Sequence, residues 1–437
     1  MSAVPYPPVI EDDPTTMAPA SSPLKRFFHG LGPGLITGAS DDDPSGIGTY
    51  ATAGAALGYA TLWTAIVTLP LMVVVQFLCA KVGLVRGRGL AGVLQRHYPR
   101  PLLYPAVFCL VIANTINAGT DLGAIAAGIN LLIPIPISLL ILPIALGLVA
   151  LQVWGSYRLI TKVFKWLTLS LFTYIAAAFL AKPHWPEVLK ATFLPPLRFD
   201  HTYLLTLVAI LGTTISPYLF FWQASEEVEA QKSQGRTPEA LRQRPHPHLL
   251  ERAKWDTLIG MVLCNLVFYF VILATAATLH VSGQTTIQSA AEAAQALRPL
   301  AGQAATFLFA IGIIGAGVLA VPVLTGSSAY AVAETFGWHA GLNAKPRHAK
   351  AFYAVIAVST LIGSGIDFLG INPITALFWT AVINGVLAPP LLVILLVITS
   401  NPRLMGTQVN GRLTQSLGWL TALLMLAAVL GMLMTGS

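Results

Sequence analysis

From residue 30 to residue 435 the chain passes through eleven apolar stretches of about twenty residues, the length an α-helix needs to cross roughly 30 Å of hydrocarbon. Within a bilayer a segment must satisfy its own backbone amides, so such stretches are helices. The spans fall near 30–58, 60–83, 101–129, 133–153, 157–181, 201–225, 255–279, 303–331, 350–369, 373–399 and 415–435. Only 10% of the residues are charged, against about 25% in an ordinary soluble domain, so the chain reads as an all-α polytopic membrane protein embedded in a lipid bilayer.

The net charge of +7 raises the question of a nucleic-acid partner, and the placement of the charge excludes one. Of the 25 Lys and Arg residues, all but Lys182, Lys190, Arg198 and Arg298 fall on one side of the spans if the N-terminus is cytoplasmic. The asymmetry predicts a multi-pass protein of the cell (inner) membrane with its N-terminus inside and, after eleven spans, its C-terminus outside. Residues 1–29, rich in Pro, Ser, Thr and acidic residues, read as a disordered cytoplasmic tail and not as a signal peptide. Cys79, Cys109 and Cys264 sit in apolar runs without C-x-x-C spacing and read as small buried hydrophobes. No redox chemistry, cofactor or catalysis of covalent bonds is expected.

The first span is interrupted by Gly38-Ala39-Ser40-Asp41-Asp42-Asp43-Pro44-Ser45-Gly46. Three adjacent carboxylates at membrane depth each cost several kcal/mol unless they face a cavity or a partner. Asp43 before Pro44 is also the pattern of an N-cap followed by proline at the first helical position, but a cap needs one carboxylate, not three. Span six carries a second break, Leu211 to Tyr218, with Gly212 and Pro217. A proline kink is common in membrane helices; two breaks five spans apart are the mark of an inverted repeat. Spans one to five (about 30–181) and six to ten (about 201–399) then form two repeats, with span eleven (about 415–435) added to a single transport domain, 30–435.

Two unwound midpoints at one depth offer backbone carbonyls and amides, and with a carboxylate they suit a hard divalent cation. Asp43 is the expected charged ligand, with the Thr213 carbonyl and the Ser216 hydroxyl opposite. Successive helical positions turn by about 100°, so Asp41 and Asp42 are expected to widen an acidic vestibule. Tyr218, Asp121 and Asn384 are candidates for the path, Asp121 as the most costly of the polar groups inside spans with a structural helix–helix hydrogen bond as its alternative, while Asn384 could equally glue helices together. Asn114, Asn117, Thr120, Gln152 and Asp367 are the other polar groups inside spans, and Gly363 and Gly365 read as close-packing positions. No histidine lies in the middle of a span, which argues against a zinc site. Residues 226–254 read as a solvated inner linker, and 182–200 and 281–300 as covers over the outer face.

Gly32-Pro33-Gly34, the D-P-S-G of Asp43 to Gly46, the T-D-L-G of Thr120 to Gly123, the G-T-T-I-S-P of Gly212 to Pro217 and Thr325-Gly326-Ser327-Ser328 together resemble the natural resistance-associated macrophage protein (NRAMP) family of divalent metal transporters. The resemblance implies the leucine-transporter-type fold, with metal held between unwound spans one and six. Two departures stand out. Gly46 occupies the position of the family's Asn ligand, and Ser216, Tyr218 and Leu219 replace its Met, His and Asn. A thioether favours soft transition metals, so its loss removes a basis for preferring Mn²⁺ over Mg²⁺, and smaller side chains imply a wider site. The pattern is similar to the NRAMP-related magnesium transporters. The family's acid after T-D-L-A is Ala124 here, and span nine carries no Arg, which implies weak or no proton coupling. The expectation is a carrier, acting as a monomer, that imports Mg²⁺ with Mn²⁺ tolerated. A proton-coupled Mn²⁺/Fe²⁺ symporter and an organic-solute carrier of the same fold are the rivals.

Overall fold

A computed structural model of the chain describes residues 32–155, 173–233, 235, 247–298 and 302–436. The expected tail, 1–29, and most of span five, 157–181, lie outside the described residues. Among the described residues there are fifteen α-helices of eight residues or more. They are α1 Pro33–Asp41, α2 Pro44–Leu57, α3 Trp63–Arg86, α4 Leu90–His97, α5 Arg100–Leu132, α6 Ile137–Trp154, α7 Thr173–Leu180 and α8 Trp185–Phe193. There follow α9 His201–Thr214, α10 Pro217–Ser233, α11 Pro247–Thr275, α12 Ala305–Phe336, α13 Lys350–Ile366, α14 Pro373–Thr399 and α15 Arg412–Thr435.

Nine of the described segments are long and apolar enough to span a membrane, α9 and α10 counting as one. Span one is absent from that set because its break leaves two helices too short to cross singly, α1 and α2. Both expected interruptions are therefore present, in the places that proline dictates. Pro44 and Pro217 lack the N–H a continuing helix requires and push the preceding residue out of the helical region. Asp43 accordingly sits at φ −70°, ψ 167°, and Ile215, just ahead of the second break, at φ −125°, ψ 60°.

The broken helices form the centre of the bundle. In the most apolar window of 201–233, 83% of residues are buried, against 22% in α6, 33% in α15 and 39% in α13, which present their side chains to lipid. Glycine sets how closely the central helices approach. A Cβ at Gly38 would stand 2.4 Å from the Gly260 carbonyl oxygen on α11, and one at Gly212 would stand 2.1 Å from the Ala381 carbonyl on α14. Gly363 packs in the same way on the backbone of α5, 3.0 Å from the Gly119 amide, whereas nothing lies within 4 Å of a Cβ at Gly365, which is not the close-packing position its sequence suggests.

The inner linker also differs from expectation. Helix α10 continues to Ser233, and Glu226 and Glu227 are buried, because that stretch packs between α3 and α12 instead of running through water. In the two expected covers, α8 occupies part of 182–200, and Ala293, Ala294, Ala296 and Leu297 of 281–300 insert into the core.

Candidate functional site

Asp43 is the N-cap of α2 and stands where the two helix breaks meet. As N-cap of α2 its Oδ1 accepts hydrogen bonds from the Gly46 amide at 2.7 Å and from Ser45 Oγ at 2.7 Å. Its Oδ2 takes Asn117 Nδ2 from α5 at 3.0 Å. The second break reaches the same atom: Tyr218 donates its hydroxyl to the Ser40 carbonyl at 2.9 Å, with Asp43 Oδ2 3.4 Å from the phenol oxygen. Tyr218, expected only to line a path, thus joins the two interruptions directly.

Thr213 and Ser216 stand at the opposite side of the junction in different states. The Ser216 hydroxyl turns back to the carbonyls of Gly212 and Thr213 at 2.9 and 2.8 Å, replacing the backbone donor that Pro217 lacks. The Thr213 hydroxyl is buried without a partner and faces Gly46, where a Cβ would meet it at 3.0 Å and the Tyr50 ring at 3.3 Å. The space released by glycine at position 46 is therefore filled by Thr213 and Tyr50, so the wider site expected from small side chains is not present there.

Asp41 and Asp42, expected to widen a vestibule, are enclosed in this structure. They are 0% and 5% exposed, because the end of α1 packs directly on α11. Their carboxylates meet Cys264, whose thiol donates to Asp41 Oδ2 at 3.1 Å and contacts Asp42 Oδ1 at 3.4 Å. Cys264 is buried as expected but acts as a hydrogen-bond donor and not merely as apolar filling.

On α5, Asp121 lies one helical turn beyond Asn117, on the face turned to Asp43. It is fully buried, with the Ser45 backbone amide as a donor neighbour and Asp43 within electrostatic range. Asp367 instead stands over Gly123, two residues further along α5 and so on another face of that helix. Asn384 is buried on α14 with its amide nitrogen unpartnered, one turn from Thr380, which contacts Thr120 at 3.4 Å. Sequence reasoning counted Asn117, the direct partner of Asp43, only among the polar groups inside spans; its four-residue spacing from Asp121 was the available signal.

The electrostatic character of the junction is uniform. Asp41, Asp42, Asp43 and Asp121 are all buried, and among the described residues none pairs with Lys, Arg or His. Around them Asp41 Oδ1, Asn117 Oδ1 and Thr213 Oγ1 lack any hydrogen-bond donor. Buried acceptors without donors and buried carboxylates without counter-charges are each costly, and a cation among them would relieve both penalties. Among the described residues no three His, Cys, Asp or Glu form a preassembled metal cluster, so such a cation would rely on neutral oxygens as well as on charge.

The junction is closed on the side where Lys and Arg concentrate. Asp256 on α11 accepts the Gly32 and Gly34 amides at the start of α1, at 2.9 and 2.7 Å. Thr37 bonds to Gln223, whose amide nitrogen reaches Glu227 at 3.0 Å. The Thr325 to Ser328 stretch braces the second break: Ser327 Oγ donates to the Tyr218 carbonyl at 2.8 Å, and Thr325 Oγ1 to Gln152 at 3.0 Å.

The fold has known counterparts. A manganese transporter of Eremococcus coleocola, solved with an aromatic bis-isothiourea substituted compound, superposes with a TM-score of 0.75 at 18% identity, over 98% of this chain and 90% of that one. Mhp1, a nucleobase-cation-symport-1 family transporter solved in a closed conformation, matches with a TM-score of 0.54 at 16% identity, over 93% of each chain. These likenesses establish the leucine-transporter-type fold. A model of the natural resistance-associated macrophage protein-like family matches residues 34–435. With nearly every span inside that match, the protein belongs to this family of divalent metal transporters.

Proposed function

We propose that the protein imports a divalent cation by alternating access around Asp43, with Mg²⁺ preferred and Mn²⁺ tolerated, and with weak or no coupling to protons. The observation that carries this reading is the pair of donor-less oxygens around Asp43 (Thr213 Oγ1 and Asn117 Oδ1), beside a carboxylate with no basic partner among the described residues. Oxygen donors suit hard cations, and the one nearby sulfur, on Cys264, is turned to Asp41 and Asp42. In this proposal Asp43 is the charged ligand. Gly46 keeps the Asp43 carboxylate oriented through its amide, Thr213 and Ser216 supply oxygen from the second break, and Tyr218 couples the two breaks.

Residues 30–435 act as one transport domain, working as a monomer in the inner membrane with the N-terminus cytoplasmic and the C-terminus outside. The basic asymmetry of the sequence supports that orientation. Fully buried carboxylates at the junction belong to a state closed to both sides, from which α1 must move to release the ion inward.

The test is competition among Mg²⁺, Mn²⁺, Ca²⁺ and Cd²⁺ for uptake into proteoliposomes at two pH values, with Asp43→Ala as control. Mg²⁺ competing with Mn²⁺, without acidification of the lumen, is the expected result. Cd²⁺ prevailing over Mg²⁺ by orders of magnitude would reverse the metal preference, and stoichiometric proton entry with Mn²⁺ would establish the symporter in its place.

A further inference from the structure

A second cluster, remote from the metal junction, lies on the face where Lys and Arg concentrate. Lys81, five residues before the end of α3, is only 4% exposed. Its ammonium meets the neutral Asn410 Oδ1 at 2.5 Å and lies 6.0 Å from the Phe77 ring centre. Among the described residues no carboxylate lies within ion-pair distance of it. Asn410 is itself held by donating to Thr399 and Ser400, so its oxygen is fixed in place. An ammonium has three donors, and a buried cation with only one neutral acceptor lacks both hydrogen bonds and a counter-charge.

That ammonium lines a cavity of about 290 Å³ between α3, the start of α11 and the start of α15. A second cation, the exposed Lys254 of α11, also lines it, together with Gly411 and Thr414. Gly411 is the N-cap of α15, a 24-residue helix with no side-chain cap, so its first-turn amides remain free at the positive end of the helix dipole. The lining has a single acid, Glu251, and one of its oxygens is occupied by Trp255 Nε1 at 2.8 Å. Two ammonium groups and an uncapped helix start thus face one partly engaged carboxylate.

We infer that this cavity binds a phosphate group, specifically the phosphodiester headgroup of an anionic phospholipid. The phosphate supplies the counter-charge Lys81 lacks and accepts its two remaining protons, while Lys254 closes the mouth. A lipid source is favoured over a soluble anion by the apolar part of the lining, Phe77, Leu250 and Val409, and by Trp255, 54% exposed beside it as interfacial tryptophans are. The bound headgroup would tie α3 and α15 to the start of α11, two residues before Asp256, which holds α1.

The experiment compares the full chain in phosphatidylcholine nanodiscs with the same nanodiscs containing about one-third phosphatidylglycerol, following the thermal midpoint and the lipid retained in native mass spectra. Phosphatidylglycerol is expected to raise the midpoint and remain bound. Lys81→Met should lose most of that rise and retain about tenfold less lipid, Lys81→Arg should keep both, and Lys254→Gln should show an intermediate loss. Lys350→Gln, outside the cavity, should behave as the parent and so control for general surface charge. Lys254→Gln also serves as the decisive variant if Lys81→Met does not fold. Equal lipid dependence in all variants, or none in the parent, overturns the proposal. An equal rise with millimolar inorganic phosphate in neutral nanodiscs overturns the lipid assignment.

Discussion

The Tyr218 hydroxyl stands 3.4 Å from Asp43 Oδ2 while donating to the carbonyl of Ser40, so one phenol ties the second helix break to the first. Replacing it with phenylalanine strands a buried carbonyl at a cost of about 1–3 kcal/mol. Tyr218→Phe should therefore retain ion binding but lower uptake by about tenfold, by disfavouring the closed state. Asp43→Ala should abolish both. Calorimetric titration with Mg²⁺ separates the two effects, and full uptake by Tyr218→Phe would mean the tie is incidental.

Restoring the family's asparagine at position 46 makes a sharper test of metal preference. A Cβ there meets Thr213 Oγ1 at 3.0 Å, so Gly46→Asn alone should bind ions poorly. Gly46→Asn combined with Thr213→Ala makes the room and should recover uptake with the balance moved toward Mn²⁺. The ratio of Mn²⁺ to Mg²⁺ transport in proteoliposomes is the readout, and an unchanged ratio would remove position 46 from the account of selectivity.

Asp256 supplies two charge-assisted bonds to the start of α1, each worth about 1.5–3 kcal/mol. In Asp256→Ala the start of α1 should detach. The native thiol of Cys264, buried behind it, reports that event. Alkylation of Cys264, quantified by mass spectrometry, should accelerate at least tenfold in this variant. Equal alkylation rates would show that other contacts hold α1.

Two glycines predict opposite outcomes on heating. Gly212→Ala forces α9 away from α14, since its Cβ would lie 2.1 Å from the Ala381 carbonyl and 2.3 Å from the Gly385 amide. It should lower stability by about 1–3 kcal/mol or more, the range for overpacking. Gly365→Ala meets nothing within 4 Å and should be neutral or slightly stabilising through helix propensity. Melting curves in detergent compare the two.

The helical class, the positions of the described spans and the two breaks could be read from the chain itself, because they follow from local chemistry: apolar length sets spans and proline stops helices. Tertiary packing alone decided which neighbours each group received. It set Asn117 and Tyr218 on Asp43, turned Asp41 and Asp42 to Cys264, and buried Glu227, because those contacts join residues far apart in sequence. It also filled the space at Gly46 with Thr213, a consequence of how closely two helices approach, which no single stretch of sequence encodes.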